Sequence, residues 1–205
     1  MINKDYFAHE TACIEDDCTI GEGTKIWHFS HIMKGSVIGR QCNIGQNVVV
    51  SPGAVLGDGV KVQNNVSVYT GVICEDSVFL GPSCVFTNVI NPRAFLSRKD
   101  EFHRTLVRHG ASIGANVTIV CGCTIGKFAM IGAGAVVTKD VPDYALVYGV
   151  PSRIHGYVCE CGEQIVFSGL AAVCGACGKR YQMKGTEVEE MSCNGHERRT
   201  DSENQ

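Results

Sequence analysis

Four cysteines late in the chain, Cys159, Cys161, Cys174 and Cys177, stand as a C-x-C and a C-x2-C pair with twelve residues between them in "CECGEQIVFSGLAAVCGACGKRY". Four thiolates so spaced suit tetrahedral Zn2+, and because they leave no position open for water such a site would be structural. The first gap is one residue shorter than the commoner spacing, and four reduced thiols on a hairpin are the plainer alternative. A second group is "IWHFSHI", with Trp27, His28 and His31. An imidazole titrates near neutral pH and suits proton transfer. Two histidines are too few for a three-histidine catalytic metal, and His103 and His109 lie in and beside a charged stretch. That stretch is the third group. "FTNVINPR" holds Asn88, Asn91 and Arg93, and Arg98, Lys99, Asp100, Glu101, His103 and Arg104 follow. The mix could grip a charged ligand, the Arg93 fork fitting a carboxylate or a phosphate; a solvated charged loop is the bland reading.

The elements that must hold these groups follow one beat. Residues 14, 20, 26, 32, 38, 44, 50, 56, 62, 68, 74, 80 and 86 are all apolar, and Val107, Ile113, Ile119, Ile125, Ile131 and Val137 resume the period in a new phase. A helix repeats at 3.6 residues and a plain strand at 2, so a period of six means short strands separated by turns, the hexapeptide β-helix pattern. The apolar residue points into a narrow prism, and the residue four further on is mostly small or β-branched. Cys18, Cys42, Cys74, Cys84 and Cys123 fall on inward positions and read as small buried hydrophobes. Gly21, Gly39, Gly45, Gly57 and Gly81 directly follow an apolar key residue, and glycine and asparagine tolerate turn conformations at the corners. Residues 92–106 break the beat. An insertion cannot enter a packed prism, so it must leave as an external loop, and long structured loops are usually functional.

Composition sets the outer bounds. The chain has 205 residues, a formal net charge of −3, 24 glycines, 12 cysteines and 7% aromatic residues. The balance gives no nucleic-acid footprint. No apolar run is long enough to cross a bilayer, and the first residues lack the apolar core of a signal peptide, so a cytoplasmic protein with reduced thiols is expected.

The repeat resembles that of the left-handed β-helix acyltransferases, in which three hexapeptides make one triangular coil and three subunits associate. The resemblance alone implies the handedness, since the general preference for right-handed crossovers would argue otherwise. It implies an all-β fold: a left-handed parallel β-helix over 1–157 with the protruding loop 92–106, then a zinc-ribbon-like module over 158–181 and a disordered tail over 182–205. Coils of eighteen residues put His28, Gln46 and Asn64 in one column and Phe29, Asn47 and Asn65 in the next. These would be polar ladders lining a cleft, or a solvated corner whose asparagines hold turns.

"GPSCVFTNVINPR", "TLVRHGASIGANVTIVCGCTIG" and "IGAGAVVTKDVPDYALVYGVP", with "IWHFSHI", make the resemblance closer. Over roughly residues 8 to 162 the chain is similar to the nucleotide-sugar N-acetyltransferases of surface-polysaccharide biosynthesis. That implies transfer of acetyl from acetyl-CoA to the 3-amino group of a UDP-linked 2-acetamido-3-amino-2,3-dideoxy-glucuronic acid. The alternatives are a TDP-linked or 4-amino nucleotide sugar, or a non-catalytic scaffold. It implies that Asn88 lies beside the sugar amine and positions it. His28 is the candidate base, with the departing CoA thiolate as the other proton acceptor. His31, Asn64, Asn65, Asn91 and Arg93 are candidate sugar-nucleotide contacts. Gly132, Gly134 and Ala135 would leave room for the pantetheine arm of acetyl-CoA, with Lys139 and Arg153 at its phosphates. The partners implied are the UDP-sugar, acetyl-CoA and two further copies of the chain, with neither nucleic acid nor membrane.

Overall fold

The computed structural model describes residues 5–191. Their parallel strands stack in three sheets, each strand pairing with the one three strands later in the chain. The register is regular: His31 pairs with Val49, Val49 with Ser67 and Ser67 with Val85. Each step is eighteen residues, so three hexapeptides make one coil of a three-sided β-helix of about eight coils, the fold class the repeat implied. The first face runs from Phe7–Ala8 to Ala145–Tyr148, the second from Cys13–Ile14 to Val136–Val137, and the third from Thr19–Ile20 to Thr124–Ile125. No helix occurs among the described residues, and so none is long and apolar enough to cross a membrane.

The strands are short because a corner interrupts them every six residues. From Asp17, Gly23 and Phe29 through to Ser83, and again from Gly110 to Gly134, every sixth residue is left-handed, with φ between 52° and 91°. Glycine takes this conformation freely, whereas other residues pay about 1–2 kcal/mol and asparagine rather less. The glycines that follow the key residues are a different device. A Cβ at Gly21 would lie 2.6 Å from the backbone of Gly39 and Arg40 on the next coil. They allow close approach between coils, and the left-handed turn comes two residues later.

Inside the prism Ile26, Ile32, Ile44, Leu80, Phe86, Ile113 and their equivalents are fully buried. The early coils carry smaller inward residues that hydrogen-bond along the axis: Thr24 Oγ1 donates to the Gly39 carbonyl at 2.8 Å and Ser30 Oγ to the Gly45 carbonyl at 2.7 Å. Cys42, Cys74, Cys84 and Cys123 are buried as expected, and Cys18, in an end coil, is only half-buried. Burial pushes the Cys84 thiol up to about 12 and raises Cys42 and Cys74 too, so these sulfurs stay protonated and inert.

The insertion leaves the prism between the second and third faces. Phe86 pairs with Ile119, thirty-three residues later instead of eighteen, so fifteen residues have been added. The loop occupies the span between Val85–Phe86 and Thr105–Val107, and Thr105 and Leu106 belong to the returning strand rather than to the loop. Ile90, which continues the small-residue positions in the sequence, has already left the core and faces solvent.

Past the last coil the chain reverses into antiparallel strands, Arg153–Val158 pairing with Ala145–Tyr148 and Gln164–Ile165 with Arg153–Val158. Ala171–Val173, Arg180–Lys184 and Glu187–Glu190 then form a separate antiparallel sheet. The boundary expected at residue 182 falls inside a strand, and the module runs on to Glu190. The remainder of the expected tail, 192–205, lies outside the described residues.

Ile113→Ala should destabilise the fold by about 2–5 kcal/mol, since a parallel prism cannot collapse onto the cavity without breaking its ladders. Chemical denaturation of the two proteins in parallel measures it.

Candidate functional site

The candidate residues fall on the second face and its two borders. Outward positions on that face are Cys13, His31, Val49, Ser67, Val85, Thr118 and Val136, small or apolar except for the histidine. His31 is held by a residue that no motif marks out: its Nε2 lies 2.7 Å from Glu15 Oε1. Glu15 Oε2 also accepts the Lys34 backbone N–H at 3.0 Å. The Lys34 N–H and then the His31 ring hold the Glu15 carboxyl below the usual carboxylate range. A pair sixteen residues apart lies diagonally across adjacent coils, a signal visible only once the coil length is fixed.

The border between the first and second faces carries the two predicted columns. Gln46 N donates to Asn64 Oδ1 at 2.9 Å, and Asn47 Nδ2 donates to Asn65 Oδ1 at 3.0 Å. Asn47 and Asn65 are themselves left-handed. Both expected roles therefore coexist. The asparagines hold turns, while Trp27, His28, Asn43, Gln46 and Asn64 line a shallow groove of about 280 Å3. Trp27 Nε1 donates to Asn43 Oδ1 at 2.8 Å, and the His28 ring stacks on His9 with centroids 3.6 Å apart. His9 also went unnoticed in the sequence.

Asn88 lies at the other border, half-buried, where the chain leaves the second face. Its carbonyl accepts the His103 N–H at 3.0 Å, closing the neck of the loop. Asn91 and Arg93 are exposed, and the Arg93 guanidinium donates to the Pro92 carbonyl. The register puts His31 three coils from Val85, hence from Asn88; at the spacing of neighbouring strands this is about 14 Å. His28, three residues before His31, sits in the same lower coil. Within one chain the structure does not bring either histidine to Asn88.

The proposed cofactor residues lie above. Ala135 is fully buried, so its side chain faces the core and only its backbone could border a ligand. A Cβ at Gly132 would lie 2.8 Å from Tyr148 Cβ, which explains that glycine by strand packing, whereas Gly134 is left-handed with open space beside it. Lys139 and Arg153 line one depression of about 430 Å3, together with Asp140. Two exposed cations over one hollow suit a phosphate-bearing ligand. At the far end the four sulfurs of Cys159, Cys161, Cys174 and Cys177 all lie within 4.8 Å of one another.

Comparison with known proteins follows the same outline. The family description "Bacterial transferase hexapeptide (six repeats)" matches residues 17–52 and 104–139, and "Hexapeptide repeat of succinyl-transferase" matches residues 36–70. The chain is 48% identical over 176 residues to dTDP-3-amino-3,6-dideoxy-alpha-D-galactopyranose 3-N-acetyltransferase of Aneurinibacillus thermoaerophilus, covering 86% of this chain and 90% of that one. It is 34% identical over 142 residues to Bifunctional protein GlmU of Nitratidesulfovibrio vulgaris, where it covers 65% of this chain and only 31% of the relative. A crystal structure of a Bacillus cereus protein superposes with a TM-score of 0.51 at 23% identity, covering 76% of this chain and 86% of that one, a likeness of fold.

Glu15→Ala should accelerate amide hydrogen exchange at Lys34 by about tenfold or more, the effect of losing a hydrogen bond to a charged acceptor. In the unaltered protein the lowered carboxyl gives the sign: protection is fully present above the ordinary carboxylate range and fades as pH falls through the lowered value. Exchange that is unchanged in the variant would show that the contact contributes nothing.

Proposed function

The chain belongs to the hexapeptide-repeat nucleotide-sugar N-acetyltransferases, and on that footing we propose that it acetylates the 3-amino group of a dTDP-linked 3-amino sugar, with acetyl-CoA as donor. The relative that matches most of its length is named for a dTDP-linked 3-amino-3,6-dideoxy sugar. This supports the TDP-linked alternative over the UDP-linked 2-acetamido-3-amino-glucuronic acid. The acceptor position is 3-amino in either case.

The observation that carries the proposal is the placement of Asn88, half-buried at the one point where the chain leaves the second face. Below it lie His31 and the Trp27–Asn64 groove; above it lies the depression with Lys139 and Arg153. Two elongated substrates entering from opposite ends of this face would meet beside Asn88. Acetyl-CoA supplies the acetyl thioester, which the neutral amine attacks with loss of the CoA thiol. The Asn88 carboxamide accepts an N–H of the amine and so aims its lone pair, and holding that geometry is a large part of catalysis for such a reaction. As the new C–N bond forms and the C–S bond breaks, the amine proton passes to the departing sulfur. An asparagine cannot take it, and within the chain His28 and His31 stand three coils away.

The site is open in a single chain. The loop exposes Phe95 at 88%, Ile90 at 59% and Leu96 at 46%, an apolar patch that a neighbouring copy would cover. We assign the active form to a homotrimer in which each loop borders the second face of its neighbour.

Asn88→Ala should lower kcat/KM by a factor on the order of 10² at unchanged thermal stability. His28→Ala and His31→Ala should keep most of their turnover. A wild-type rate in the Asn88 variant would refute its role, and loss of turnover in a histidine variant with an altered acidic limb would restore a protein base. Coupled detection of CoA release with dTDP- and UDP-linked 3-amino sugars should favour the dTDP compound by kcat/KM. The reverse preference would overturn the assignment of the nucleotide.

Sedimentation should give three copies per particle, reduced to monomer by Phe95→Asp with Leu96→Asp. A monomeric parent protein would contradict the assembly.

A further inference from the structure

The four cysteines beyond the prism have no part in the acetyl transfer, yet they form the most concentrated ligand set in the described chain. We propose that Cys159, Cys161, Cys174 and Cys177 bind one structural Zn2+, and that this metal locks the terminal module onto the last coils through Tyr181.

The donor geometry comes first. Cys159 Sγ lies 3.3 Å from Cys177 Sγ, and Cys161 Sγ lies 3.6 Å from Cys174 Sγ. Tetrahedral zinc with Zn–S near 2.3 Å needs sulfurs about 3.8 Å apart, so the cage is already close to size. Each pair is shaped by a tight turn: Gly162 N donates to the Cys159 carbonyl at 2.8 Å, and Gly178 N donates to the Cys174 carbonyl at 2.9 Å. All four sulfurs are free thiols, with no disulfide among them.

The proton inventory around Tyr181 points the same way. Its hydroxyl oxygen accepts the Glu160 backbone N–H at 3.1 Å and lies 3.0 Å from Cys159 Sγ. Either partner could donate across that contact, and with Cys159 as a metal-bound thiolate the hydroxyl proton would point at the sulfur. A metal-bound thiolate is a good acceptor for it and a thiol a poor one. Tyr181 is fully buried, which makes the bond a fixed part of the site.

The module also lacks the means to hold itself together. Its own buried apolar residues are Val158, Ile165, Ala172, Tyr181 and Val188, besides Cys159 and Cys174. Units below about 40 residues usually need a disulfide or a metal. What ties it to the prism is an aromatic series. The Tyr181 ring packs edge-on to Tyr144 at 5.3 Å, and Tyr144 stacks on Phe128 at 5.5 Å. Phe128 and Tyr144 are both left-handed, at φ 52° and 61°, a costly conformation for bulky residues. Stacked at one corner, they make the platform on which Tyr181 sits. Tyr181 thus touches the ligand shell with its hydroxyl and the prism with its ring.

The experiment uses the full chain purified without a metal-affinity tag. Elemental analysis should find one zinc per chain, and Co2+ exchanged into the site should show tetrahedral d–d bands with thiolate-to-cobalt charge transfer. Cys174→Ser should abolish those bands. Chelation should open the chain to proteolysis after about residue 158 while the prism keeps its melting transition, and Tyr181→Phe should release zinc to a competing chelator at least about tenfold faster, as loss of a ligand's outer partner does. Less than a tenth of an equivalent of zinc together with no cobalt signal would overturn the site. So would iron in its place, or two disulfides found by mass after alkylation. A Tyr181→Phe protein that holds zinc as tightly as its parent and resists proteolysis equally would overturn the locking role.

Discussion

The left-handed residue at most corners of the prism is the constraint on which the rest depends. It turns the chain after each two-residue strand, so that three strands close one coil and the next coil lands in register above it. The parallel ladders then repeat every eighteen residues with the strand-to-strand spacing. The corner is costly, and several positions meet it with residues other than glycine, among them Gln41, Ser77 and Ser83. Burial of a continuous aliphatic column, together with two ladder hydrogen bonds from most strands to the next coil, offsets that cost.

The same constraint limits what a functional site can be. Away from the insertion and the last coil, a residue on this scaffold has axial neighbours at multiples of eighteen and diagonal ones a few residues to either side. Glu15 reaches His31, and Trp27 reaches Asn43, by the diagonal route. Such arrangements make only shallow hollows, because the faces themselves are flat. Deeper concavity must come from an insertion or from a second copy. The fifteen added residues supply the first, and their exposed Phe95, Ile90 and Leu96 supply a surface for the second. Asn88 owes its position to lying at the neck of that insertion, where the ladder stops but the backbone is still pinned by the His103 amide.

The two ends of the prism are closed differently. The first coils are only partly buried at Ile14, Cys18 and Ile20, whereas the last coils run into antiparallel strands and a cysteine-bearing sheet. The bulky left-handed residues Phe128 and Tyr144 mark that transition. Phe128 is left-handed as a regular corner in the series from Gly110, and stacking with Tyr144 and Tyr181 gives these bulky corner residues packing partners.

By itself the sequence determined the six-residue beat, its inward residues, the presence of an insertion near "FTNVINPR" and the grouping of four cysteines, each a matter of period or spacing along the chain. That three hexapeptides close one coil came from the family resemblance, and the point of exit, already past Phe86 with Ile90 in solvent, came from the structure. The sequence also carried the two asparagine columns, which depend only on coil length. It could not show that Glu15 orients His31 or that His9 stacks on His28, because both contacts cross between coils. Nor could it show that Gly132 makes room for Tyr148 or that the terminal strands run on to Glu190, although the place of Ala135, four residues after Ile131, already marked it as inward. Only the tertiary structure decided that nothing folds His28 back across the roughly three coils that separate it from Asn88, since every intervening strand pairs in register and holds their heights apart.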